Sequence, residues 1–84
     1  MNVYYITFRS VTFAQRGERV LREKGLRCAL RRTPKWMEEQ GCGYSLRLHT
    51  GDIRGALDIL NRARVPYRRV YVQREDGGLE GMGL

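Results

Sequence analysis

The sequence predicts one α+β domain in which two helices cover a β-sheet. Three observations predict it. Four short runs alternate between apolar and polar residues, the two-residue period of a strand. Two longer runs carry apolar residues at helical spacing. The runs follow one another as β-α-β and then β-α-β, and 84 residues leave no room for a second core.

Val3 to Phe8 is aromatic and β-branched, with Tyr4, Ile6 and Phe8 on one face and Val3, Tyr5 and Thr7 on the other. Ser10 or Thr12 can cap the helix that follows. Its stripe is Phe13/Ala14, Gly17, Val20/Leu21 and Lys24, and Gly25 is its stop. Gly17 inside that stripe is unfavourable by about 1 kcal/mol against Ala, which points to close packing on the sheet. Leu26 to Arg32 is the second strand, with Leu26, Cys28 and Leu30 in phase. Thr33-Pro34 offers an N-cap and a proline at the first helical position, so Lys35 to Gln40 is expected to form a helical turn stopped by Gly41. Tyr44 to His49 is the third strand. Asp52 caps a second helix whose stripe is Ile53, Ala56/Leu57, Leu60 and Ala63, with Pro66 beyond it. Tyr67 to Gln73 is the fourth strand. Residues 74–84 are rich in glycine and are expected to be a flexible tail behind a single domain of residues 1–73.

This order predicts a ferredoxin-like βαββαβ sandwich, a four-stranded antiparallel sheet in the order 4-1-3-2 with both helices on one face. That topology gathers three connections at one end. They are the turn from the first strand into the first helix, the link between strands two and three, and the link from the second helix to strand four. Cys42 is then expected near Arg9, Ser10 and the first helix N-terminus, and near Arg62, Arg64 and Pro66.

Composition limits the alternatives. No run approaches the roughly 18 apolar residues of a membrane span, and Met1 to Tyr5 lacks the charged start of an export signal, so a cytoplasmic location is expected. Two cysteines are too few for a disulfide framework, and with His49 they show no metal-ligand spacing. The net charge of +7 raises nucleic acid or an acidic partner. Arginine outnumbers lysine 14 to 2 and is spread along the chain, which also fits a solvated arginine-rich surface. Tyr4, Tyr5, Tyr67 and Tyr71 resemble RNA-stacking residues, but no matching aromatic signature accompanies them. Arg68-Arg69 reads as strand-end charge, and His49 as a solvated residue.

The residue with the most chemical promise is Cys42, in Gly41-Cys42-Gly43-Tyr44. Flanking glycines leave a thiol unshielded and its backbone free. A helix N-terminus and nearby guanidinium groups favour the thiolate over a thiol whose ordinary pKa is about 8.5. Backbone N–H groups around Gly41 and Gly43 could hold an anion, and Ser10 could add a hydrogen bond. Trp36 and Met37 pack against the sheet edge, or Trp36 shields the thiol or meets a partner. A Cys-His nucleophile pair is disfavoured, because His49 lies seven residues along the same strand, roughly 20 Å away at about 3.3 Å per residue. Cys28, in phase with Leu26 and Leu30, reads as a core residue, with a Cys28–Cys42 redox pair as the alternative.

The stretches Tyr5 to Ser10, Ala14, Glu18 to Leu21, Gly25, Pro34 and Cys42-Gly43 resemble a small bacterial and archaeal family of selenium/sulfur carrier proteins, over about residues 3 to 72. The resemblance implies that Cys42 is the carrier cysteine, by match to the Cys-Gly step. It also implies a relay protein rather than an enzyme, with no cofactor. Its partners would be a sulfur or selenium donor such as a cysteine desulfurase, and an acceptor protein. Ser10, Gly41, Gly43 and Arg9 would stabilise the anion, and Arg62, Arg64 and Trp36 would dock the partner. The alternatives are a small basic nucleic-acid-binding module and a regulatory domain that forms a homodimer through its sheet.

Overall fold

The computed structural model describes residues 2–33 and 43–83. The turn expected over Lys35 to Gln40, with Trp36, Gly41 and Cys42, lies outside the described residues.

The local signals act where the residue types place them. β1, Asn2–Thr7, buries Tyr4 and Ile6 and runs on into buried Phe8. Ser10 then takes an extended backbone, and its Oγ accepts a hydrogen bond from the Phe13 N–H at 3.2 Å, which starts α1, Val11–Glu23. Ala14, Gly17 and Leu21 are its buried stripe. Gly25, at φ +83°, ends it. The Gly25 N–H donates to the Arg22 carbonyl at 2.9 Å and the Leu26 N–H to the Leu21 carbonyl at 3.0 Å, the paired bonds of a Schellman motif. β2, Arg27–Arg32, and β3, Tyr44–Thr50, follow. Asp52 Oδ1 accepts from the Gly55 N–H at 3.0 Å and opens α2, Ile53–Arg62, which buries Ile53, Ala56, Leu57 and Leu60. β4 is shorter than its sequence pattern, Val70–Gln73. Residues 68 and 69 still bond to β1 through Thr7, whose carbonyl accepts from the Arg68 N–H at 2.8 Å.

The strands form one antiparallel sheet in the order β2-β3-β1-β4-β5. Tyr4, Ile6, Phe8, Leu46, Leu48 and Val70 share a single core with the stripes of α1 and α2, so both helices cover the same face. Ile6, Phe8, Leu21, Leu46, Leu48 and Leu60 are wholly enclosed there. Truncating Phe8 to alanine at such a site removes about 3–5 kcal/mol. Gly17 allows α1 to lie close to the sheet: a Cβ there would stand 3.1 Å from Phe8 Cζ and 3.3 Å from Leu46 Cδ1. Beside it, Glu18 Oε2 accepts from the Leu30 N–H at 3.0 Å, and Arg22 Nε donates to the Cys28 carbonyl at 3.1 Å. Both bonds satisfy outward-facing groups of β2, the first strand of the sheet.

The expected four-strand count is corrected. The chain has a fifth strand, β5, Leu79–Gly81, and the element order among the described residues is βαββαββ rather than βαββαβ. The expected order of the first four strands is kept, and β5 extends the sheet beyond β4. Leu79, Glu80 and Gly81 pair with Gln73, Val72 and Tyr71. The turn that brings them back is built by Asp76-Gly77-Gly78. Gly77 sits at φ +87°, and Asp76 Oδ1 accepts from the Gly78 N–H at 2.8 Å. The Arg74 N–H donates to the Gly78 carbonyl at 2.7 Å. Glycine content suggested a tail, but an Asp-Gly step between two pairing segments is a hairpin signal.

The Gly78 N–H and the Arg74 guanidinium hold the Asp76 carboxyl below the usual carboxylate range. Its ionised form is therefore the one that supports the turn. That support is complete above the ordinary carboxylate pKa and is lost as pH falls through the lowered value. Backbone NMR shifts of Gly78 to Gly81, followed from about pH 6 to about pH 2, should report a loosening of the β4–β5 turn at the acid end. Asp76→Asn should abolish that titration.

Candidate functional site

β1 and β3 pair in register from Asn2↔Thr50 to Thr7↔Ser45. The exit of β1, at Phe8 to Ser10, thus lies beside the entrance of β3, at Gly43 and Tyr44. The α2-to-β4 connection reaches the same end through Thr7, whose Oγ1 accepts from the Arg69 N–H at 3.0 Å. Two of the three connections expected to converge, the β1-to-α1 turn and the α2-to-β4 link, meet at this end; the third, residues 34–42, lies outside the described residues.

Gly43 stands at φ +83°, a conformation suited to glycine, and its carbonyl accepts from the Thr33 N–H at 2.8 Å. Ser10 is the α1 cap. Its first turn carries no acidic residue, so the partial positive charge of the helix N-terminus is not neutralised there. Arg9 is exposed next to it. Cys42 and Gly41, which precede Gly43 in the chain, and Trp36 lie outside the described residues.

Two side chains at this end, Arg32 and Ser45, escaped sequence reasoning, and a third, Thr33, reads in the sequence only as an N-cap. Arg32 pairs in register with Tyr44, and its guanidinium carbon stands 5.3 Å from the Tyr44 ring centroid. Ser45 and Thr33 are buried, at 0% and 4% exposure, and neither hydroxyl has a hydrogen-bond partner among the described residues. With Thr7 they lie on the sheet face opposite the helices, by the alternation of strand residues. In the sequence Ser45 sits between Tyr44 and Leu46, where alternation reads as a solvent-facing strand position. Arg32 looked like one more arginine until the register placed it opposite Tyr44.

Arg62 and Arg64 differ in their bonding. Arg62 Nε pairs with Asp58 Oδ2 at 3.1 Å one turn earlier, both groups being exposed. Such a pair adds about 0.3–0.5 kcal/mol. Arg64 makes no side-chain hydrogen bond or ion pair among the described residues, and it stands at φ +58°. It closes α2 as Gly25 closes α1. The Arg64 N–H donates to the Asn61 carbonyl at 3.1 Å and the Val65 N–H to the Leu60 carbonyl at 2.9 Å. The same motif thus uses glycine once and a strained, exposed arginine once.

Cys28 lies elsewhere. It is 6% exposed in the core, and its Sγ donates to the Glu18 carbonyl at 3.7 Å. Burial pushes its thiol pKa up, the negative charge of Glu18 adds to that, and Arg22 opposes it. Cys28 is therefore kept as the unreactive thiol. His49 is at the opposite end of β3, paired with Val3, where Arg47 Nη1 donates to its Nε2 at 3.0 Å. This bond makes it a partnered strand residue instead of a merely solvated one. Among the described residues no three His, Cys, Asp or Glu side chains are grouped to hold a metal ion, and no helix is long and apolar enough to cross a membrane.

The family model described as "Putative Se/S carrier protein-like" matches residues 3–72. Comparison with curated proteins and with solved structures gives no significant match.

The strain at Arg64 can be tested directly. Arg64→Gly should raise unfolding stability by about 0.5–1 kcal/mol, the left-handed penalty less the added freedom of glycine in the unfolded chain. Urea titration of the two proteins measures it.

Proposed function

We propose that this chain, which belongs to the Se/S carrier protein-like family, carries sulfane sulfur or selenium on Cys42 and relays it between partner proteins. The observation that supports this reading most is the character of the strand end that Cys42 immediately precedes. Among the described residues it gathers an uncompensated helix N-terminus, the Arg9 and Arg32 guanidiniums and two buried hydroxyls without partners. All of these favour an anion over a neutral thiol.

The transfer is an exchange at sulfur. The Cys42 thiolate attacks the terminal sulfur of a donor persulfide, R–S–SH. A new S–S bond forms on Cys42 as the donor S–S bond breaks, and the electron pair leaves with the donor thiolate. The products are Cys42–S–SH and R–S⁻, with no net oxidation. Loss of the proton from Cys42–S–SH gives the persulfide anion, which the hydroxyls of Ser45 and Thr33 and the N-terminus of α1 would stabilise. Attack by an acceptor thiolate on the outer sulfur repeats the exchange and regenerates Cys42. A selenium atom would travel by the same route. Ser10 is engaged as a helix cap through its acceptor lone pair, which leaves its O–H as a donor. Gly41 and Gly43 contribute backbone N–H groups.

Arg62, Arg64 and Trp36 are proposed to dock the partner. Arg64 is the best supported of them, since its backbone is strained and its guanidinium has no ion pair among the described residues. An acidic donor or acceptor met through these arginines would associate with a salt-sensitive on-rate. The cytoplasm, where desulfurases and their acceptors work, is the proposed location.

Iodoacetamide at neutral pH should label Cys42 much faster than Cys28. After incubation with a persulfide donor R–S–SH or its selenium counterpart R–S–SeH, intact-mass analysis without reductant should show a gain of about 32 or about 80 mass units that Cys42→Ser removes. Equal labelling of the two cysteines, or an adduct that survives Cys42→Ser, would sink the reading. Arg32→Ala should slow Cys42 alkylation several-fold near neutral pH and lose that effect above about pH 10, where both proteins are fully ionised.

A further inference from the structure

A cavity of about 750 Å³ opens at the same end of the sheet, on the β4 side of β1. Its wall is made by Arg9 from the β1 exit, Phe13 from the first turn of α1, Tyr67, Arg68 and Arg69 from the approach to β4, and Met82 beyond β5. The Met82 N–H donates to the Val70 carbonyl at 2.9 Å, which holds this last segment against β4 and closes the far wall. The expected tail is therefore part of the cavity.

The lining has two kinds of surface. Three guanidinium groups supply charge, and none of the described lining residues is acidic. Arg9 and Arg69 have no ion pair among the described residues. Phe13, Tyr67 and Met82 are each half-buried and give the cavity an apolar flank. The volume lies within the roughly 300–1,000 Å³ range of small-molecule sites. Guanidinium forks match phosphate oxygens in pairs, and aromatic rings take the face of a planar base. A bare inorganic anion would leave the aromatic flank unused, and an uncharged ring would leave the arginines unused.

We propose that this cavity binds a mononucleotide, its phosphate on Arg9, Arg68 and Arg69 and its base against Phe13 and Tyr67. The cavity shares Arg9 with the strand end that Cys42 precedes, but nucleotide binding does not require the thiol. Occupation would place negative charge next to Ser10 and the start of α1, so the nucleotide would modulate the neighbouring strand end through the same groups.

Calorimetric titration of the full chain with ADP, inorganic phosphate and adenosine tests this. ADP should bind at least about 10-fold more tightly than either fragment, since each occupies only half of the lining. The Arg9→Gln/Arg69→Gln pair, both exposed, should weaken ADP at least about 10-fold while leaving the thermal midpoint unchanged. Tyr67→Leu should weaken ADP but not phosphate, and Cys42→Ser should leave ADP binding as it was. ADP no tighter than phosphate, or binding indifferent to both arginines and Tyr67, overturns the proposal. So does single-stranded RNA binding that competes with ADP and depends on Tyr5 and Tyr71 instead. None of these outcomes alters the persulfide mass measurement, so the two readings fail separately.

Discussion

The contact between Gly17 and the Phe8 ring sets how closely α1 lies on the sheet. With a Cβ only 3.1 Å from that ring, any larger side chain would lift the helix or push the ring aside. Much of the molecule's arrangement follows from this approach. It brings Glu18 and Arg22 within reach of β2, and it holds the start of α1 over the end of β1. Ser10, two residues after Phe8, can then cap the helix at the place where the strands open. The packed middle of the domain and the polar end are thus consequences of one missing side chain.

The surroundings of Cys28 fix the state of its thiol. Cys28 is surrounded by core side chains, donates to a helix carbonyl and feels the charge of Glu18, all of which favour the protonated form. The end of the sheet that receives Gly43 has the opposite character, with positive groups, an open helix start and hydroxyls lacking partners. A field of this kind favours the ionised form of a thiol placed within it.

Much of this was readable from residue order alone. Ser10 and Asp52 announced the helix starts, Gly25 a helix end, and the spacing of Tyr4, Ile6 and Phe8 the buried face. Gly17 foretold close packing because a mid-helix glycine needs a reason. The fifth strand was hidden because glycine density in residues 77–83 outweighed the Asp76-Gly77 step, whose meaning depends on partners on both sides. Ser45 and Thr33 were hidden for a different reason: alternation tells which face a residue takes, not whether that face is covered. Arg64 was singled out by its place in the topology, but its role in closing α2 was not, since a left-handed backbone leaves no mark on composition. The family match rests on the order of parts around Cys42-Gly43, and it carries the functional reading further than any one motif does.

The bonds from Glu18 and Arg22 to β2 bear on how the protein behaves in company. An uncovered flank strand is a template on which another chain can add its own backbone, the route to fibres and runaway association. Here a helix of the same molecule already occupies the hydrogen-bonding groups at Leu30 and Cys28. The opposite flank is only the three residues of Leu79–Gly81, too short to seed a long ladder. Flanks that refuse permanent recruits leave the rest of the surface free for partners that bind and release.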